Sequence, residues 1–329
     1  HNPQTLFLVV SSSAGDMSSQ YVARRLAYFI PMVIGSIVLS FVILHTAPGD
    51  PTTILVGEGG SPEMREIAIR AFGLDKPLHE QLLLYFLNVF QGNLGYSWYY
   101  SRPVFSLIAE RLPATVLLVG AGLSISVVFG VLAGVVSASR QYSIVDNLIM
   151  SWAVVTYSLP VFWVAQLFVL TLSVYLRLFP VAGMYTVGAE LSSISYIADI
   201  QWHLWLPAVS LSTAFLALYA RLTRASVLAT MRENFILTAR AKGLREKDVL
   251  YKHALRNSLL PVASTLGVQF GMMIGGVVLT ETVFAWPGVG RLFTEAVFLR
   301  DYPVVMGVFL FLTLSVVVAN LITDMVYTV

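Results

Sequence analysis

The sequence predicts an all-α membrane protein with six transmembrane helices and a helical extracytoplasmic insert between the first two. Of the 329 residues, 57% are hydrophobic and only 12% are charged, about half the charged fraction that is typical of a soluble domain. A helix needs roughly 20 largely apolar residues to cross the hydrocarbon core of a bilayer. Six stretches without a charged residue meet or approach that length: residues 26–45, 114–139, 147–176, 204–220, 258–280 and 303–323.

The segments around these spans divide the chain. Residues 1–16 precede the first methionine and carry an apolar run too short for a signal-peptide core. We expect them to be a remnant added for expression or a disordered tail, and residues 17–45 to form the N-terminal segment and first span. In residues 46–113, helical apolar spacing between Pro and Gly predicts a small helical insert outside the membrane. Residues 114–329 would form the core of five further spans, with a cytoplasmic loop at 221–257.

The third span is longer than a crossing needs and contains Pro160, in the stretch TYSLPVFWV. Proline lacks the backbone N–H that would bond to the preceding turn, and its ring clashes with that turn. We therefore expect the helix to bend at Pro160.

The distribution of basic residues predicts the orientation of the chain. Six crossings place both termini on one side, and Lys and Arg concentrate on the cytoplasmic side of membrane proteins. Nine Lys or Arg lie from Arg221 to Arg256, whereas none lies from Leu178 to His203. Both termini and the loop at 221–257 are therefore expected in the cytoplasm, in a multi-pass protein of the cytoplasmic membrane.

The composition also argues against several functions. No Asp, Glu, Lys or Arg lies in the six predicted spans, which disfavours a proton-coupled carrier, although sodium coupling through backbone carbonyls stays open. The sequence has no cysteine, no phosphate-binding loop and no protease motif, and its five histidines lack metal-ligand spacing. The net charge of +2 gives no case for nucleic-acid binding. We expect no catalytic residue, metal or cofactor in this chain.

Small residues recur at helical spacing in two spans. Gly267, Gly271 and Gly275 repeat every four residues in the fifth span, and Gly130 and Gly134 do so in the second. Such spacing permits close approach of helix backbones. The fifth span could pack at a subunit interface or line a pathway, or it could pack ordinarily within one subunit, and the residues favour neither.

The loop at 221–257 is predicted to contain two short helices. Residues 232–242 are good helix formers, and Gly243 follows at the position of a left-handed helix cap. A second helix is expected to begin near Glu246, because Glu246 and Asp248 suit its first turn. Such a basic element could lie on anionic lipid or enter a groove of a protein partner. The physical properties of the residues leave both alternatives open.

Several collinear motifs resemble one family. The loop reads TARAKG followed by HALRNSLLP, which closely resembles the cytoplasmic coupling loop of permeases from ATP-binding-cassette (ABC) importers. The dipeptide, oligopeptide and nickel branch, in its B-type subunit, is also similar in the motifs APGDP, FGLDKPLHEQ, GNLG, RPVFSLIAERLPAT, YSLPVFW and ETVFAWPGVGRL. The resemblance extends from Tyr21 to Tyr327 and implies the type I importer permease fold.

The resemblance implies that the loop couples the membrane helices to ATP hydrolysis on another subunit. The coupling residues would be Thr238, Ala239, Arg240, Ala241, Lys242, Gly243 and Leu244. ATP and magnesium would bind the partner and not this chain. The implied partners are a homologous second permease in a heterodimer, two ABC ATPase subunits and an extracytoplasmic substrate-binding protein, besides membrane lipid.

The function that the resemblance implies is import of di- and oligopeptides by alternating access. Oligosaccharides or nickel are alternative cargoes for the same machinery, and a stand-alone channel or secondary carrier is the rival class. Beyond the fifth span, Glu281, Trp286, Pro287 and Gly288 are expected in a turn at the mouth of the pathway. A plain helix stop is the other interpretation of that turn, since Pro and Gly end helices in any case.

Overall fold

A computed structural model of the chain describes residues 30–43, 45–46, 56, 60–72, 75–188 and 192–328. The prediction for residues 1–16 lies outside the described residues. The chain separates into two compact units, one of His1–Ile108 with Glu295–Val329 and the other of Ala109–Thr294.

Helices make up nearly all of the regular structure in the described part of the chain. In chain order they are α1 Ile30–Ile43, α2 Pro62–Phe72, α3 Leu78–Phe90, α4 Val104–Ser139, α5 Ile144–Ser158, α6 Val161–Phe168, α7 Ser193–Thr230, α8 Asn234–Ala241, α9 Glu246–Asp248, α10 Leu255–Ser258, α11 Leu260–Val283, α12 Val289–Leu299 and α13 Tyr302–Thr328. The π-helical segments Val169–Tyr175 and Val249–Ala254 continue α6 and α9. Strands β1 Tyr96–Ser97 and β2 Arg102–Pro103 form a short antiparallel hairpin.

The long apolar helices confirm the all-α membrane fold. Four are long and apolar enough to cross a bilayer, namely α4, α7, α11 and the Tyr302–Leu321 part of α13. A bent pair, Ile144–Ser158 with Val161–Tyr175, is a fifth candidate. The first predicted span is described only as α1, which is shorter than a crossing, and its residues 26–29 and 44 lie outside the described residues. The count of six spans therefore stays a prediction.

The bend expected at Pro160 is a complete break of the helix. Leu159 and Pro160 have extended backbones, with ψ angles of 134° and 129°, and the two helices on either side are inclined by 100°. Pro160 thus stands at the N-cap of α6, a position where its missing N–H costs no helical hydrogen bond.

Two helices, α4 and α7, continue ten residues or more beyond the predicted spans. The second span was expected to begin at residue 114, but α4 begins at Val104 and contains Pro113 inside the helix. The fourth was expected to end at residue 220, but α7 continues to Thr230 and includes Arg221 and Arg224. The first ten residues of the predicted loop at 221–257 are therefore helical, and the chain leaves α7 only just before α8.

The first unit is built around contacts between α1, α3 and α13. Among the described residues, Ile37, Tyr85 and Leu310 form a buried cluster, one residue from each helix. The hairpin is attached to the start of α13, because the buried carboxylate of Asp301 accepts a hydrogen bond from the Ser97 hydroxyl.

In the second unit, glycines bring α4 close to α7. A Cβ atom at Gly130 would lie 2.6 Å from the Tyr219 Cβ, and one at Gly134 would lie 2.6 Å from the Ala220 carbonyl oxygen. Real Cβ atoms do not approach other heavy atoms so closely, so neither position has room for a side chain. The close approach predicted for Gly130 and Gly134 is present between these two helices.

Candidate functional site

The segment from α8 to α10, residues 234–258, forms an elbow with Gly243 at its turn. Its first arm is α8, and its second arm runs from Glu246 to Ser258. Gly243 has a φ of +76°, a left-handed backbone that is strained for residues with a Cβ. Its N–H donates to the Arg240 carbonyl at 2.9 Å, and the Leu244 N–H donates to the Ala239 carbonyl at 3.4 Å. These paired bonds form a Schellman cap. The two helices predicted around Gly243 are present.

One side of α8 is buried and the other is uncovered. Ile236 and Ala239 pack against Val249 and Ala254 of the second arm of the elbow. The opposite face, called here the outward face of α8, carries exposed residues: Asn234, Leu237, Thr238 and Ala241. Of the seven residues predicted to couple, six are exposed, and Ala239 alone is buried in the elbow. Ala239 therefore holds the two arms together and does not lie on the outward face of α8.

One ion pair connects the two arms of the elbow, and another lies within the second arm. Arg240 donates to the Glu246 carboxylate from Nε at 2.8 Å and from Nη2 at 3.2 Å, across the turn at Gly243. In the second arm, the Lys252 ammonium lies 2.8 Å from Asp248 Oδ1. The hydrogen bond from Lys252 holds the pKa of Asp248 below its usual range, and the same bond raises the pKa of Lys252. Exposed pairs of this kind stabilise a fold only weakly, so the Arg240–Glu246 pair adds little to the buried contacts between the two arms.

A buried ion pair joins the start of α5 to α7. Arg224 Nε and Nη2 each donate to a carboxylate oxygen of Asp146 at 2.7 Å. The Ser137 hydroxyl, at the end of α4, and the Tyr142 N–H also donate to this carboxylate. Sequence reasoning missed this pair, because Asp146 was excluded from the third span and Arg224 was assigned to a loop. Ser143, which caps α5, was the one local signal that Asp146 lies in a first helical turn.

The four residues predicted in the turn after the fifth span lie together, but Glu281 lies inside the helix. α11 extends to Val283, so Glu281 belongs to its last turn and was wrongly placed beyond it. Its fully buried carboxylate accepts hydrogen bonds from the Thr115 hydroxyl at 2.7 Å and the Arg291 N–H at 2.9 Å. These donors supply the hydrogen bonds that a buried carboxyl group needs.

Close contacts constrain which residue types fit at the positions that follow Glu281. A Cβ at Gly288 would lie 2.1 Å from Glu281 Oε1, so a side chain there would displace this carboxyl group from its hydrogen bonds. Trp286 is fully buried, and its indole N–H donates to the Ala114 carbonyl at 2.8 Å. Pro287 lies between these two residues. Side-chain contacts thus hold the turn in place after the end of α11, and its position at the mouth of a pathway stays a prediction.

The three glycines of the fifth span differ in their exposure. Gly271 is buried and Gly267 is half-buried, whereas Gly275 is exposed, with nothing within 4 Å of a Cβ added to it. Gly130 and Gly134 of α4 make close helix packing within the chain. A subunit-interface or pathway role for Gly275 stays a prediction.

Comparison with known proteins gives the family. Residues 126–329 match the model of the binding-protein-dependent transport system inner membrane component, and residues 17–119 match the N-terminal model of such membrane components. The chain belongs to this family.

Individual relatives align along almost their whole length. The chain is 38% identical to the di/tripeptide transport system permease protein DppB of Pseudomonas aeruginosa, over 93% of this chain and 96% of the relative. It is 40% identical to the oligopeptide transport system permease protein AppB of Bacillus subtilis, over 94% and 97%. It is 37% identical to the dipeptide transport system permease protein DppB of Escherichia coli, also over 94% and 97%.

Membership in the family confirms the resemblance to ABC importer permeases. The chain is a multi-pass inner membrane protein and the membrane component of a transporter, not its catalytic subunit. The elbow, the Asp146–Arg224 pair and the turn around Glu281 all lie within the matched residues 126–329.

Proposed function

We propose that this chain is the membrane subunit of an ATP-driven importer of di- and oligopeptides. The relatives described above are di/tripeptide, oligopeptide and dipeptide permeases, and each is matched over nearly its full length. A peptide is therefore the cargo that similarity supports best. Oligosaccharides and nickel are the alternative cargoes.

The observation that carries the proposal is the uncovered outward face of α8. Leu237 is 54% exposed, and it shares this face with Asn234, Thr238 and Ala241. A short amphipathic helix that is anchored on one side and bare on the other suits insertion into a groove of a partner protein. We assign this partner as a cytoplasmic ATPase, with a second ATPase serving a homologous permease. ATP and magnesium would bind those subunits.

The elbow has the rigidity that a coupling element requires. Its two arms share the buried cluster around Ile236 and Ala239, and the Arg240–Glu246 pair crosses the turn. α7 ends shortly before α8, and α11 begins shortly after α10. A displacement of α8 by the ATPase would therefore move α7 and α11 with it, as rigid-body alternating access needs.

The remaining assignments follow from this topology. We place both termini and the elbow in the cytoplasm, on the basis of the basic residues between Arg221 and Arg256. The turn around Glu281 would then lie on the outer side, at the mouth of the pathway, where an extracytoplasmic substrate-binding protein delivers cargo. Gly275, exposed and open, is suited to contact with the second permease.

Two exposed alanines allow a matched test of coupling. Ala241 lies on the outward face of α8, and Ala229 lies in the last turns of α7, outside the elbow. Ala241→Asp should abolish both co-purification of the ATPase subunits and ATP-dependent uptake, whereas Ala229→Asp should leave them near wild type. Retained ATPase binding in Ala241→Asp would contradict the docking assignment.

Cargo is tested by uptake into proteoliposomes that contain the complete importer and its binding protein. We expect ATP-dependent uptake of labelled dipeptides and pentapeptides, and no uptake of a labelled oligosaccharide or Ni²⁺. Uptake without ATPase subunits would instead favour a channel or secondary carrier.

A further inference from the structure

A groove of about 500 Å³ lies beside the elbow, between the end of α4, the end of α7 and the second arm. Three basic residues and one acidic residue line it: Arg232, Arg240, Lys247 and Glu246. Glu246 is already paired with Arg240. Neither the Arg232 guanidinium nor the Lys247 ammonium has a hydrogen bond or ion pair to a residue that the structure describes. The groove therefore offers two cations that an anion could use.

The floor of the groove is apolar. Val227 and Leu250 are buried there, together with the partly buried Leu228 and Met231. An inorganic anion would gain nothing from this surface. A molecule with a negative head and a hydrocarbon tail matches both the charges and the floor.

The groove also lies at the end of a predicted membrane span, where lipid headgroups are found. The uncharged run of α4 ends at Ser139, and Ser139 and Gln141 are at the edge of the groove. The end of an apolar transmembrane run marks the change from hydrocarbon to headgroups. Basic pockets at this level of membrane proteins bind anionic lipid headgroups.

We propose that this groove binds an anionic phospholipid. Arg232 and Lys247 contact its phosphate, and an acyl chain lies along Val227, Leu228 and Met231. The lipid would thereby connect α7 to the second arm of the elbow, since Arg232 follows α7 and Lys247 belongs to α9. The proposal requires only that the protein is in a membrane, so it can fail while the transport function holds.

The proposal is tested by native mass spectrometry of the purified full-length chain during titration with phosphatidylglycerol. Arg232→Gln and Lys247→Gln should each weaken binding about fivefold, the factor for about 1 kcal/mol per basic residue near a membrane surface. Arg256→Gln removes the same charge from an exposed position that does not line the groove, and it should change binding less than twofold. Equal weakening in all three variants would overturn the site.

Two further measurements distinguish the lipid from other occupants. Soluble glycerophosphoglycerol and inorganic phosphate should bind at least tenfold more weakly than phosphatidylglycerol, and Leu228→Gln should weaken only lipid binding. Equal binding of inorganic phosphate would show an anion site without a lipid. Loss of the bound lipid when the ATPase subunits are added would show that protein covers the groove in the working importer, and would also overturn the proposal. Unchanged circular dichroism and gel-filtration profiles establish that the variants are folded.

Discussion

Asp146 and Arg224 form a two-pronged ion pair between α5 and α7, with both N···O distances at 2.7 Å. The two partners differ in their access to water, because the Asp146 side chain is 2% exposed and the Arg224 side chain is 23% exposed. Removing one partner of a buried pair leaves a charge without compensation. The cost should therefore depend on which partner is lost.

Arg224→Met is expected to destabilise the protein more than Asp146→Asn. The first variant leaves a buried carboxylate with only the Ser137 and Tyr142 donors, and should lower the free energy of unfolding by about 3–5 kcal/mol. The second leaves a cation that can reach water, and should cost less. Thermal unfolding of the purified variants in one detergent measures the difference. Equal losses of stability in the two variants would show that burial of the Asp146 carboxylate does not determine the cost of breaking the pair.

The packing of α4 on α7 is tested by alanine at two glycines of the same helix. Gly130→Ala places a methyl group 2.6 Å from the Tyr219 Cβ, whereas the same change at Gly120 meets nothing within 4 Å. Overpacking of this kind costs about 1–3 kcal/mol. Gly130→Ala should therefore lower the melting temperature, and Gly120→Ala should leave it unchanged or raise it, because alanine favours helix. A stable Gly130→Ala variant would contradict the close approach of the helices.

The features that could be predicted from the sequence are those that neighbouring residues determine. The break at Pro160 follows from the chemistry of proline, and the elbow follows from helix formers on either side of Gly243. The Asp146–Arg224 pair joins residues 78 positions apart, so no local pattern shows it. Glu281 was placed outside the helix because acids are excluded from apolar runs, yet the folded turn supplies its hydrogen-bond donors. Long-range polar contacts were therefore what sequence reasoning missed.

The turn of the elbow is tested by two substitutions at Gly243. A Cβ atom added at Gly243 would meet nothing within 4 Å. The backbone conformation at φ +76° is therefore what limits the residue type at this position. Asparagine tolerates this conformation, whereas a β-branched residue is strongly disfavoured there. Gly243→Val should reduce peptide uptake and ATPase co-purification, and Gly243→Asn should retain most of both. The two variants would behave alike if the left-handed turn were unimportant for coupling.

Thr115 is expected to hold the turn around Glu281. Its hydroxyl accepts a hydrogen bond from the Val289 N–H at 2.8 Å and donates one to Glu281 at 2.7 Å. Valine has nearly the same shape but can make neither bond. Thr115→Val would leave a buried N–H unpaired and remove a donor from a buried carboxylate, at a cost of about 1–3 kcal/mol for each unsatisfied group.

The control for Thr115→Val is Thr282→Val, in the same turn. Thr282 is exposed, and its hydroxyl donates to the Val278 carbonyl at 2.8 Å and lies 3.2 Å from the Thr294 hydroxyl. Water can replace both contacts, so the loss of this hydroxyl should cost about 1 kcal/mol or less. Thermal unfolding compares the two variants, and proteolysis between residues 281 and 291 reports on the turn itself. Faster cleavage in Thr115→Val alone would show that its hydroxyl orders the turn. Equal stability and equal cleavage in both variants would mean that Glu281 is satisfied by the backbone donors without it.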